Sequence, residues 1–355
     1  MPPTIKGPRS VVSPKVIKAD SRATMSSALR SWKGKDRNDT NQDRPLEMCR
    51  IYPIGGGKGG SGKSFITANL GVLFASLGKK VVLLDLDLGG SNLHTLLGLT
   101  NPRRGLHDFL NKKVSDLHDT VVETLIPNLF IISSVRCSME IANLFYVQKM
   151  KIIKAIQGLQ YDCILLDLGA GTNYNTLDFF LTSNEGLFVV TPEPTSIENT
   201  FRFIRAVYLR KLKQLLRQND FSDVIRELAS HSKNGAMGSA TSVIEAVMKC
   251  DRAKGEQLLD RLGEFELKFV LNQFRKNTDV KLGDKIERVC NKHFYSRFKF
   301  LDNISYDERV HDSIFSKEVY IMKYPYTPTA AALQNIVNKI ASNGRDPALK
   351  RSAVL

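Results

Sequence analysis

Gly57-Lys58-Gly59-Gly60-Ser61-Gly62-Lys63-Ser64 lies between a short apolar run, Cys49–Ile54, and a stretch of helical periodicity, Ser64–Leu77. Every fixed position of G-x-x-x-x-G-K-[ST] is satisfied, and a strand before with a helix after is the context that gives this motif meaning. Glycine tolerates positive φ, so the backbone N–H groups of such a loop are free to turn inward around phosphate oxygens. A helix starting at the end of the loop adds partial positive charge at the same place. Lys63 is spaced to reach β- and γ-phosphates, and the Ser64 hydroxyl to bind Mg²⁺. Gly57 through Phe65 is therefore the expected phosphate-binding segment. Lys58 is a second lysine near the start of the loop. It either faces a second nucleotide across a dimer or is a solvated surface group, and spacing alone leaves both readings open.

Outward from the loop, the pattern alternates. Ser64–Leu77 places Ile66, Leu70, Leu73, Phe74 and Leu77 on one helical face, and Gly78 stops it. Lys80–Leu86 is continuously apolar, as a buried parallel strand is. Further strands are expected at Leu129–Ser133, Asp162–Leu168, Gly186–Thr191, Leu267–Asn272 and Arg297–Leu301, with helical stretches between them. This rhythm predicts an α/β fold, a doubly wound and mostly parallel sheet of about seven strands. The segment between the helix near Ser196 and the strand at Leu267 is too long for one crossover. Phe221–Ala229 and Thr241–Cys250 look helical around a polar break at Ser232–Ser239, so 211–263 reads as a helical insertion extending off the core. Residues 1–48 read as a disordered basic arm with a short helix near Thr24–Trp32, residues 49–342 as the folded domain, and 343–355 as a flexible tail.

Two acidic clusters fall at strand ends, where ligands of such sheets bind. Asp85 and Asp87 end one strand, and Asp167 ends another just before Gly169-Ala170-Gly171. An apolar strand that carries an acid toward the metal is the Walker B arrangement. Acids here also cap helices, but three of them near a phosphate-loop lysine speak against that reading.

Taken together, these residues resemble the MinD/ParA ATPases. Gly57–Ser64 is similar to their deviant Walker A motif, Asp85-Leu86-Asp87-Leu88-Gly89 to switch I, and Asp167-Leu168-Gly169-Ala170-Gly171 to switch II. Thr191-Pro192-Glu193-Pro194-Thr195-Ser196 is similar to the corresponding stretch of the flagellar-number group FlhG and of MinD, Leu271-Asn272-Gln273 to the strand-end Asn that reads adenine, and the C-terminal Pro325-x-x-Pro328 with its helix looks FlhG-like. The resemblance spans roughly Ile51–Ser342 apart from the insertion. It implies a P-loop NTPase fold of the SIMIBI type, with ATP and Mg²⁺ as cofactors. Lys58 would reach the nucleotide of a partner subunit, Lys63 the protein's own phosphates, Asp87 would orient the attacking water, and Asp85 and Asp167 would sit with Ser64 around Mg²⁺. Asn272 would contact the base, Glu193 the partner's nucleotide, and Asn199 would lie where regulators dock. Two departures stand out. Only Leu29-Arg30 echoes the FlhG activating helix, and the tail, with Pro347, lacks the amphipathic membrane helix of MinD.

The 355-residue chain carries a net charge of +15, which suits an anionic partner such as nucleic acid, a membrane surface or an acidic protein. The arm and the helix near Ser196 (Arg202, Arg205, Arg210, Lys211, Lys213 and Arg217, interleaved with Phe203, Val207, Leu212, Leu215 and Leu216) are the candidate surfaces for DNA or membrane lipid. The alternative for the helix is a core-facing side with a solvated charged side. Five cysteines without a CxxC pair read as reduced thiols. No run of about 18 apolar residues is present, and no secretory h-region follows Met1. The expectation is a cytoplasmic protein, peripheral where it touches the inner membrane. Its function would be an ATP-gated homodimer that positions flagella or a division site in concert with a regulator. An ATP-regulated DNA partition factor and a low-turnover scaffold are the alternatives.

Overall fold

Strand β2 (Val81–Leu86) and strand β5 (Cys163–Leu168) are buried along their whole lengths, as apolar runs interrupted only by Asp85 and Asp167 demand. They lie side by side in an eight-stranded sheet of order β3-β4-β2-β5-β1-β6-β7-β8. The other strands are β1 (Arg50–Gly55), β3 (Val122–Glu123), β4 (Leu129–Ile132), β6 (Glu185–Val190), β7 (Glu266–Phe274) and β8 (Arg297–Ser305). Every pairing is parallel except β3 with β4. The computed structural model describes residues 49–137, 144–218 and 240–342. The expected basic arm, the helices at Thr24–Trp32 and Phe221–Ala229, and the C-terminal tail lie outside these residues.

Side chains alternate between the two faces of a strand, and the core divides accordingly. Val81 and Leu83 belong to one apolar cluster, Val82, Leu84 and Leu86 to the other. The first cluster is covered by α1 (Lys63–Ser76), α2 (Leu93–Leu96), α11 (Tyr320–Lys323) and α12 (Pro328–Ser342). The second is covered by α3 (Leu106–Leu110), α4 (Tyr146–Gln157), α5 (Tyr174–Phe180), α6 (Pro194–Gln218) and α9 (Leu282–His293). The expected doubly wound α/β sheet is therefore present, with eight strands rather than seven. The extra one, β3, is two residues long and antiparallel, too short to leave a periodic signal.

Two helices differ from expectation. All of Phe65–Ala75 in α1 is buried, because α1 is enclosed between the sheet and α12. A helix enclosed on all sides is apolar all round. Leu77 follows the helix end and is exposed rather than part of its apolar face. The boundary expected at Lys211 falls inside α6, which runs on to Gln218. The helices α7 (Ala240–Cys250) and α8 (Arg252–Gly263) pack on that extension. Leu212, Leu216, Val243, Val247, Leu258 and Leu262 form a third cluster, joined to the domain where the Tyr208 and Phe294 rings meet at 5.3 Å. The apolar stripe of α6 is thus core, which decides between the two readings of that helix in favour of a core-facing side. Part of its basic side is also engaged: Arg210 grips Asp178 at 2.7 and 2.9 Å, and Lys211 donates to Asn184 at 2.8 Å.

Candidate nucleotide site

The loop after β1 emerges between β5 and β6, where the chain winds to opposite sides of the sheet. Ligands of open α/β sheets bind at such a switch point. Gly60 and Gly62 hold φ of 75° and 93°, a region that L side chains avoid. A Cβ on Gly57 would sit 2.1 Å from the Asn199 carbonyl oxygen, and one on Gly62 would sit 2.2 Å from Asn272 Nδ2. The motif glycines therefore answer both to backbone conformation and to close neighbours. Lys63 opens α1 and is buried. Burial pulls its ammonium below the usual lysine range, against the opposing pull of Asp167 and Asp87.

Asp85 and Asp167 are register partners at the ends of β2 and β5, each 1% exposed. Asp85 accepts from Ser91 Oγ at 2.6 Å, from Leu93 N at 3.2 Å and from Asp87 N at 3.2 Å. Asp167 Oδ1 accepts from Thr67 Oγ1 at 3.4 Å, and the Ser64 hydroxyl is near enough to pull this carboxyl downward. Burial pushes both carboxylates up; mutual repulsion adds to the rise at Asp167, and the hydrogen bonds at Asp85 oppose it. Asp167 Oδ2 is buried without a hydrogen-bond partner. Paired buried acids with one orphan oxygen, beside a serine hydroxyl, fit a hard divalent cation such as Mg²⁺. Among the described residues no three His, Cys, Asp or Glu side chains converge into a closed metal cage. That suits Mg²⁺, which takes one or two carboxylates and completes its shell with waters and phosphate oxygens. Ser64, Asp85 and Asp167 would hold it.

Asp87 lies just past β2 and close over switch II: a Cβ on Gly169 would be 3.1 Å from Asp87 Oδ1. Lys58 and Arg275 lie near enough to Glu193 to help hold its carboxyl low, although the Thr191 hydroxyl bonded to it is the larger cause. On the far side of the loop is a cavity of about 310 Å³ whose walls include Gly62, Phe65, Asn272, Tyr306 and His311. Asn272 lines it, as expected of a residue near a base, but its Nδ2 donates to the Ser61 carbonyl at 2.8 Å. Gln273 Nε2 donates to the Gly60 carbonyl at 3.0 Å. The expected site residues thus gather as two groups. Lys63, Ser64, Asp85, Asp87 and Asp167 lie toward β5 and β2; Asn272 lies toward β7, with Lys58 and Glu193 on the outer rim. Ser91, Thr67 and Gln273 were not singled out from sequence. Only Ser91, in the loop just after the Asp85/Asp87 pair, carried a local hint.

The model of the CobQ/CobB/MinD/ParA nucleotide binding domain matches residues 53–320. The antiactivator FleN of Pseudomonas aeruginosa is 33% identical over 163 residues, 45% of this chain and 57% of FleN, so little more than half of that protein is matched. A putative septum site-determining protein MinD of Nephroselmis olivacea is 32% identical over 203 residues, 52% of this chain and 72% of the relative. In fold, the chain is similar to MinD of Pyrococcus horikoshii solved with Mg-ADP, with a TM-score of 0.57 at 20% identity over 86% of this chain and 100% of that one. With a family match that runs through the phosphate loop, both acidic switches and the strands that carry them, the chain belongs to the CobQ/CobB/MinD/ParA nucleotide-binding family.

Proposed function

We propose that the chain is a MinD/ParA-type ATPase switch: ATP and Mg²⁺ bind in the loop, two copies pair face to face, and hydrolysis releases them. The observation that carries this reading is the meeting of Lys63, Asp85, Asp87 and Asp167 at one edge of the neighbouring strands β2, β5 and β1. Phosphoryl transfer asks little covalent chemistry of a protein; it needs positioning and compensation of negative charge. Bound Mg²⁺ supplies charge neutralisation at the β- and γ-phosphate oxygens. Ser64 and the two buried carboxylates hold that position, and Lys63 meets the same oxygens from the helix end. Asp87, outside the hydrogen-bonded ladder, orients the attacking water. Lys58, with Glu193 beside it on the rim, serves the nucleotide of the second copy, as an arginine finger given in trans does.

The task we infer is spatial: control of flagellar number or of a division site. A relative named for septum-site determination and another named an antiactivator support it. No described helix is long and apolar enough to cross a membrane. A cytoplasmic protein that meets a protein regulator, or the inner membrane peripherally, is the accompanying reading. Light scattering tests the core of the proposal. The chain is expected to double in mass with Mg·ATP, and Asp87→Ala to stay doubled for longer. A monomer under both conditions refutes the paired switch, and a phosphate-release assay with Lys63→Ala as blank reports turnover.

A further inference from the structure

We propose that Asn272 and Gln273 form a two-point clamp on the phosphate loop, so that the end of β7 positions phosphate-binding N–H groups instead of only reading a base. The inference rests on the nucleotide reading above. The two amides donate to consecutive carbonyls of the loop, Asn272 to Ser61 and Gln273 to Gly60, across more than two hundred residues of chain. Asn272 is 6% exposed, so this bond is shielded from competing water. Its Nδ2 occupies the space that a Cβ on Gly62 would take.

Covalent geometry says what the clamp accomplishes. The described peptide bonds contain no cis form, and in a trans peptide the C=O and the following N–H point in opposite directions. Fixing the Gly60 carbonyl toward β7 turns the Ser61 N–H away from β7. Fixing the Ser61 carbonyl does the same for the Gly62 N–H. In the strand order β2-β5-β1-β6-β7, away from β7 means toward the side of Lys63, Asp167 and Asp85. Two loop donors are thereby aimed to the side where the anion is neutralised.

Successive residues of a regular strand point to opposite faces, so two neighbours cannot ordinarily reach one loop. Here they do because the strand is broken. Gln273 adopts φ of 57°, and the pairing of β7 with β8 shifts register between Leu271 and Phe274. A left-handed non-glycine residue in a strand irregularity is costly and persists where its surroundings demand it. The loop carbonyls are that demand.

The test titrates the full chain by calorimetry with Mg²⁺ and two probes, ATPγS and inorganic tripolyphosphate, which has no base. Asn272→Asp keeps size and acceptor but turns a carboxylate oxygen toward the Ser61 carbonyl. Gln273→Gly removes the second donor and relieves the positive φ. The clamp predicts that both probes weaken by the same factor, tenfold or more for Asn272→Asp and about fivefold for Gln273→Gly. Gln273→Gly is also expected to unfold at no lower temperature than the unaltered chain, so it carries the test if Asn272→Asp fails to fold. Loss of ATPγS binding with tripolyphosphate unchanged would make Asn272 a base reader and overturn the clamp, as would unchanged binding of both. If the unaltered chain bound neither probe, the nucleotide reading itself would fall, and the clamp with it.

Discussion

Asp167→Asn is expected to stabilise the metal-free chain while removing its response to Mg·ATP. Asp167 and Asp85 are register partners on adjacent strands, buried to 1% exposure, and Asp167 Oδ2 has no hydrogen-bond partner. Neighbouring strands lie about 5 Å apart. At an effective dielectric constant of ~20, two carboxylate charges at that distance repel by about 3 kcal/mol. The attraction of Asp167 to Lys63 offsets part of this, leaving a net gain of about 2 kcal/mol when the charge is removed. The amide keeps an acceptor for Thr67 and Ser64 and gives Asp85 a donor. For a domain of this size the gain corresponds to a rise of about 3 °C in melting temperature. The sign with pH follows. Burial raises this carboxyl above its ordinary value of 3.8, so the native chain loses stability as pH climbs through the raised pKa. The advantage of Asp167→Asn therefore widens toward alkaline pH and closes in acid. Scanning calorimetry at pH 5 and pH 8.5, with and without Mg·ATP, reads all of this. A variant less stable than its parent at pH 8.5, or one that Mg·ATP stabilises as strongly as the parent, refutes the reasoning.

Lys58→Ala is expected to retain Mg·ATP binding but to lose ATP-dependent pairing in light scattering, with phosphate release reduced roughly 10³-fold if the lysine acts in trans. Gly62→Ala places a Cβ 2.2 Å from Asn272 Nδ2 at φ 93°; it is expected to abolish nucleotide binding in the calorimeter and to cost at least about 1 kcal/mol of stability in urea titration. Asp178 pairs with Lys149 at 2.5 Å and Arg210 at 2.7 Å, and the side chains of Lys149 and Asp178 are 6% and 5% exposed. Asp178→Ala strands a buried ammonium and is expected to cost about 3–5 kcal/mol, much of it recovered by adding Lys149→Met, as a double-mutant cycle in urea measures.

The parts of the fold legible in the sequence are those in which one residue pattern has one physical solution. Val81–Leu86 and Cys163–Leu168 admit burial on both faces and nothing else, and Gly57–Ser64 reads as a phosphate loop because strand and helix flank it. What stayed hidden depends on partners distant in the chain. The stripe Phe203, Val207, Leu212 and Leu216 has the periodicity of a surface amphipath, and only packing shows it to be core: Phe203 and Val207 against the sheet, Leu212 and Leu216 against α7 and α8. Leu77 continues the pattern of α1 one residue past the place where the helix ends. The Lys149–Asp178–Arg210 cluster joins three helices, and no spacing within any one of them announces it. At Asn272 the residue type pointed to hydrogen bonding, but the choice of Ser61 as acceptor belongs to the sheet order. Gln273 carries no sign of its left-handed backbone, because glutamine has no preference for it.

The distribution of rigidity across the site favours a switch over a static binder. Asp85 and Asp167 end strands β2 and β5 and are locked in their ladder at adjacent register positions. Asp87 and Gly169 lie one step beyond those strands, in contact with each other but outside the ladder. Charges that hold a metal must not move, because Mg²⁺ demands near-ideal geometry. Groups that sense whether a γ-phosphate is present must move, or its loss goes unreported. On the proposed reading, Asp85 and Asp167 on the strands are the first kind, and Asp87 and Gly169, the first residues free of them, are the second. The helix that follows Gly169, α5, starts at Tyr174. It carries Asp178, whose carboxylate grips Lys149 of α4 and Arg210 of α6. That ion cluster ties the helix after Gly169 to the two outer helices. It gives the Asp178→Ala variant a second readout: if the link carries the signal, pairing loses its dependence on ATP even at temperatures where the variant is fully folded.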